Sequence, residues 1–127
     1  MPNSERASVN FAARCGLALV FIYHGLVPKI IWPSEIERQL VELHHLDFPV
    51  GLLSTVAGIL EVALGVSILM FRRSLIPIYL AAVTLALLLI DVAVVFPALL
   101  VKAFNPVTIN LVSILLCYIV IKTKTRP

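Results

Sequence analysis

The sequence predicts an all-α integral membrane protein, a four-helix bundle with an amphipathic interfacial helix between spans one and two. Three observations lead there. Of the 127 residues 61% are hydrophobic and only 13% charged, and the mean hydropathy of +1.05 lies far above that of soluble domains. Four stretches, at 9–27, 50–71, 75–96 and 104–121, meet or approach the roughly 20 apolar residues that a bilayer crossing needs. Between the first two, residues 34–47 alternate apolar and charged side chains at helical spacing. At this length a single domain over 1–127 is expected.

Taken in order, Met1 to Ser8 is polar and reads as a frayed end. Span one places Arg14, Phe21, Gly25 and Lys29 on one stripe, with His24 on its flank. No small-residue cleavage site follows its apolar run, so it reads as a retained span rather than a signal peptide. Arg14 reads either as a snorkelling side chain or as an inward partner of Glu61, about one helical turn of 5.4 Å away in depth. Pro28 should end or bend the helix at Val27. His24 has a reference pKa near working pH and is a candidate proton acceptor, the alternative being an interfacial histidine bonded to a neighbour.

In 34–47, Ser34 followed by Glu37 fits a capping box, and the helix should lie on the outer leaflet as a roof over the bundle. His44 and His45 diverge on a helix and lack the spacing of a metal site; no metal is expected. Span two carries one charge, Glu61, at its midpoint, where an acid costs roughly 2.5–3.5 kcal/mol on insertion scales. Such a residue faces a bundle interior or a wet cavity. Gly51, Ser54, Gly58 and Gly65 share its face and permit close helix approach.

The short link Arg72-Arg73-Ser74 makes spans two and three an antiparallel hairpin. Tyr79, Thr84 and Asp91 fall on one face of span three, and the depth of Asp91 favours an inward partner. Asn105 is placed to cap span four, with Pro106 in its first turn. Asn110, Ser113 and Cys117 continue a small and polar stripe, and the basic tail from Lys122 to Arg126 anchors the end.

Counting Lys and Arg by side gives seven with the termini and second loop against three on the other side. This predicts cytoplasmic N- and C-termini, so the net charge of +3 reads as a topology signal that needs no nucleic-acid partner. Cys15 and Cys117 form no paired motif and are expected to be inert thiols. The polar members converge on the outer half: His24, Lys29, Asp91 and Asn110, with Glu61 one turn deeper and Arg14 below it.

Arg14, the exit Gly25-Leu26-Val27-Pro28-Lys29, Pro33-Ser34-Glu35, the block from Gly58 to Gly65, and Asn105-Pro106 with Asn110 together resemble the DoxX-like family of small four-helix membrane proteins. The resemblance covers roughly 14–121. It implies a bacterial inner-membrane bundle and maps family-like positions onto Arg14, Gly25, Lys29, Glu61, Gly65 and Asn110. The family's namesake is a subunit of a thiosulfate:quinone oxidoreductase, so the resemblance implies membrane redox work with a quinone as cofactor. Some relatives are joined to dehydrogenase-like domains; this sequence carries no GxGxxG, so nicotinamide chemistry would come from a partner.

Three readings stay open. The first is a redox-associated subunit whose Glu61 handles protons while Arg14 and Lys29 set its charge, working with a redox partner protein or as a homo-oligomer. The second is a non-enzymatic accessory or assembly subunit whose buried ion pairs are structural. The third, a small proton-coupled carrier, lacks the internal repeat or broken helices expected of transporters. An apolar cavity reaching Glu61 is what separates the first from the second.

Overall fold

The computed structural model describes residues 1–103 and 105–124; the predicted start of span four at Phe104 and the tail residues Thr125 and Arg126 lie outside them. The fold is all-helical, and four helices are long and apolar enough to cross a membrane. They are α1 (Asn3–Leu26), α3 (Val50–Met70), α4 (Ile76–Val95) and α5 (Pro106–Thr123), with the short α2 (Glu35–Glu42) between α1 and α3. Helix α1 sits centrally, packing against both α3 and α5, and α5 carries α4. The tight link between α3 and α4 therefore does not make them the closely packed hairpin that its length predicts. They touch sparingly, and α1 with α5 fills the space between them.

The chain is apolar on the outside as well as inside. Leu19, Leu60, Leu80, Val94 and Leu115 are all more than half exposed on the isolated chain, which is the surface that lipid tails cover. With no hydrophobic difference between core and lipid, association depends on close packing. Gly25 and Gly58 supply it: a Cβ on either would lie 2.5 Å from the carbonyl oxygen of the other. A Cβ on Gly65 would meet Ile22 Cγ1 at 2.7 Å. Gly51, expected on the same packing face, is exposed with nothing within 4 Å, because it precedes the α1 crossing.

The ends of α1 differ from expectation at both termini. Helix begins at Asn3, so the polar N-terminal segment is helical rather than frayed. At the other end Pro28 does not stop the helix; Val27–Ile31 continue it as one π turn, closed by Trp32 N–H donating to Val27 O at 2.8 Å. The wider ring absorbs the donor that proline lacks. Helix α2 ends at Glu42, short of the expected 47, and His45 adopts φ 49 in the left-handed region just beyond it. Ser34 caps α2 by accepting from Glu37 N–H at 3.2 Å, whereas its own N–H goes to Pro28 O, so only half of the capping box forms. Asn105 caps α5 as its sequence predicts, accepting from Val107 and Thr108 N–H.

Candidate functional site

The two buried cations of the α1 segment have different surroundings. Arg14 is 1% exposed and spends its donors on oxygens of neutral groups: Ile68 O at 2.9 Å, Ser74 O at 3.0 Å and Asn10 Oδ1 at 3.1 Å. Ile68 O lies in the last turn of α3, where carbonyls have no helical donor and the helix dipole is negative. Asn10 in turn donates to Val120 O and Thr123 Oγ1 of α5. Arg14 thus ties α1, α3 and α5 together and neither snorkels nor pairs with Glu61. The antiparallel crossing at Gly25 and Gly58 places Arg14 roughly 12 Å further along the bundle than Glu61 at 1.5 Å rise per residue.

Lys29, carried inward by the π turn, is the partner of Glu61. Its Nζ lies 2.7 Å from Glu61 Oε1 and 3.7 Å from Glu37 Oε2. Lys29 and Glu61 are both buried, and Glu37 is half-buried under α2. Glu37 was legible in the sequence only as a capping residue; its place three residues after Ser34 and on the apolar side of α2 was the available signal. Burial pushes the Glu37 carboxyl above the usual range, against the opposing pull of Lys29, and Glu61 adds to the rise. Two carboxylates thus share one ammonium. Glu61 Oε2 is buried with no hydrogen-bond partner among the described residues.

Beside this group lies a cavity of about 220 Å³ to which every helix contributes. Its apolar wall includes Phe21, Leu85, Leu88, Val92, Leu99 and Ile109, and its polar groups are His24, Lys29, Glu37, Glu61 and Asn110. Asn110 is buried, while His24 is exposed on one side and stands edge-to-face to Tyr23 at 6.0 Å between ring centres. Helix α2 covers one side through Ile36, Glu37 and Leu40. The volume is small against the roughly 300–1,000 Å³ of drug-sized sites, so it fits one ring or headgroup with any tail outside.

Asp91 does not join this cluster. The inward face of α4 is Ile78, Ala81, Leu85 and Val92, and one residue of rotation turns Asp91 away from it. Its Oδ1 instead meets His44 Nε2 at 2.8 Å, while His44 Nδ1 lies 2.7 Å from Leu40 O. The hydrogen bond that His44 donates to Asp91 is the main cause that raises the His44 pKa, with the Leu40 carbonyl next. This contact fastens the end of α2 to α4. Of the six polar positions expected to meet, the structure therefore brings together His24, Lys29, Glu61 and Asn110, adds Glu37, and sends Arg14 and Asp91 elsewhere. Cys15 and Cys117 are both free thiols.

In comparison with protein families, residues 18–118 match the model of the DoxX-like family. The match spans well over half of the chain, and the chain belongs to the DoxX-like family. No curated protein and no solved structure matches it.

Proposed function

We propose that this member of the DoxX-like family is a membrane subunit of a redox system, taking the ring of a quinone or related lipophilic carrier into the cavity beside Lys29 and Glu61. The observation that carries this reading is an apolar cavity beside a buried ion pair, one oxygen of which has no donor among the described residues. A pair that served only to hold helices together would be packed and hydrogen-bonded on all sides. Here the apolar wall of Leu88, Val92 and Leu99 suits a ring, and Lys29 and Asn110 stand ready to donate to its oxygens.

Reduction of a quinone takes two electrons and two protons. A partner protein carrying a redox centre supplies the electrons, and Glu61 and Glu37 pass the protons, with Lys29 stabilising negative charge that develops on the ring oxygen. The resemblance to the DoxX-like family supports a bacterial inner membrane, and the distribution of Lys and Arg supports both termini in the cytoplasm, which sets the cavity towards the outer leaflet. The bundle works as one domain, alone with its partner or as a homo-oligomer.

Glu61→Gln tests the reading directly. Quinone-linked redox activity in membranes falls at least ten-fold, while the folded protein is still recovered in detergent; unchanged activity refutes the role of Glu61. The second reading, an assembly subunit, draws on Arg14, each of whose side-chain nitrogens serves helix register. Purification of the native complex separates the two: a partner with a redox centre supports the first, and a partner set without one supports the second.

A further inference from the structure

The two ends of the cavity are built differently. Towards Arg14 the bundle is filled by Leu17, Ala18, Ile78, Ala81 and Cys117, each 2% exposed or less. From Phe21 in the cavity wall to Arg14 this plug is roughly 10 Å deep at 1.5 Å rise per residue. Ser113, a polar side chain at this level, is fully buried and has no hydrogen-bond partner among the described residues, so it joins no relay. The plug ends on the Arg14 guanidinium, a fixed positive charge that repels protons and cations. On the α2 side, by contrast, polar groups follow one another to the surface. Lys29 Nζ lies 2.7 Å from Glu61 Oε1 and 3.7 Å from Glu37 Oε2, and the Glu37 side chain is 24% exposed. Lys29 spends one of its three donors on Glu61, and Asn110 and His24 line the same space, so this end of the cavity is polar and roomy enough for ordered water.

We infer that the polar end of the cavity exchanges water and protons with the α2 face of the bundle alone, and that Glu37 is the group through which it does so. One Glu61 oxygen is held by Lys29 and the other is buried, whereas Glu37 both lines the cavity and reaches the surface. The groups that face it are Lys29 and Glu61 beneath and His24 across the cavity; on the exposed side of α2, Arg38 and Glu42 pair with one another. Glu37 takes a proton from the surface, releases it to the cavity and returns to the carboxylate, ready for the next. Resting on the proposed quinone-type ligand, the two protons of each reduction are drawn from the α2 face and each oxidation returns them there, whichever side the electrons come from.

Cysteine accessibility tests this on the full chain carrying Cys15→Ala, in sealed vesicles of one orientation. A charged, impermeant methanethiosulfonate reagent, which attacks a thiol in contact with water, is applied to one face at a time. Glu42→Cys marks the α2 face and Arg73→Cys the opposite one, both positions being exposed. Val92→Cys, in the cavity wall, reacts from the α2 face only, and the native Cys117 in the plug reacts from neither. Adding Glu37→Leu to Val92→Cys slows labelling about ten-fold or more, because an apolar side chain in the mouth removes the polar path. Glu37→Gln keeps that path and the labelling but lowers quinone-linked turnover in membranes about ten-fold or more, since an amide carries no exchangeable acid proton. Labelling of Val92→Cys from the Arg73 face or from neither face, or reaction of Cys117, overturns the one-sided access. Unchanged labelling with Glu37→Leu, or full turnover with Glu37→Gln, overturns the role of Glu37. Labelling needs no quinone, so its failure leaves the proposed ligand class standing, and a chain that binds no quinone leaves the access standing.

Discussion

Arg14 and Lys29 are carried on one continuous helical segment, both buried, yet one is finished and the other is not. Every nitrogen of Arg14 finds an oxygen of a neutral group, two of them main-chain carbonyls, and the site is closed by packing. Lys29 faces two carboxylates, one of which keeps an oxygen unpaired among the described residues, and the group adjoins a cavity. Burying a charge is costly in either place. Where each nitrogen meets a neutral oxygen, the charge makes structure; where an oxygen is left without a donor beside a cavity, the arrangement is the one on which the proposed ligand site rests. Burial alone does not separate the two cases, but counting donors and acceptors does.

The contrast can be broken at either end. The largest effect is expected for Arg14→Ala, which leaves the carbonyls of Ile68 and Ser74 without donors and should cost about 3 kcal/mol or more in unfolding measured in mixed micelles. Quinone binding in the fraction that stays folded should be unchanged; lost binding would join the two ends. Gly58→Ala comes next. Its Cβ would press on the Gly25 carbonyl and on Lys29 Cβ, so the same unfolding experiment should show a loss of about 1–3 kcal/mol together with weakened ligand binding.

The smallest effect is a pH dependence of the α2 roof. Undocked, Glu37 ionises in the ordinary carboxylate range; docked, desolvation holds its carboxyl above that range. The docked state is therefore favoured while Glu37 is protonated, and that stabilisation fades as pH rises through the raised value. His44 acts in the same direction: its contribution is full below the ordinary histidine value of about 6.5 and is lost as pH rises through its raised value. Hydrogen exchange of the α2 amides from about pH 4 to about pH 9, corrected for intrinsic rates, should show protection falling in two steps. Glu37→Gln removes one step and Asp91→Asn the other, each worth below about 1 kcal/mol. A single step, or protection that grows with pH, would separate the roof from these pairs.

Much of the fold was legible because lipid imposes a simple rule on composition. Four apolar runs, the Asn105 and Ser34 caps and the glycine packing at Gly25, Gly58 and Gly65 all follow from local chemistry. Helix register was not legible. Which cation of the α1 segment meets Glu61 depends on where two backbones cross, and the mutual contact of Gly25 and Gly58 sets that point. Asp91 shows a second limit: Tyr79, Thr84 and Asp91 share a polar face, but the neighbouring face with Ala81 packs more closely and wins the interior. Glu37 escaped notice for a third reason. A residue that satisfies a local capping pattern gives no sign that a side chain from another helix will claim it.

The π turn of Val27–Ile31 fixes an angle as well as a path. An α-helix advances about 100° per residue, so accommodating one extra residue in a single turn shifts the phase of all that follows by roughly that amount. Lys29 owes its bearing towards Glu61 to this offset, and so does the direction in which the chain leaves for α2. The turn behaves as an indexing tooth between span and roof. Sequence length in this segment is accordingly quantised: gain or loss of a single residue would re-aim the lysine and swing the cover off the cavity, even if every side chain around the cavity stayed the same.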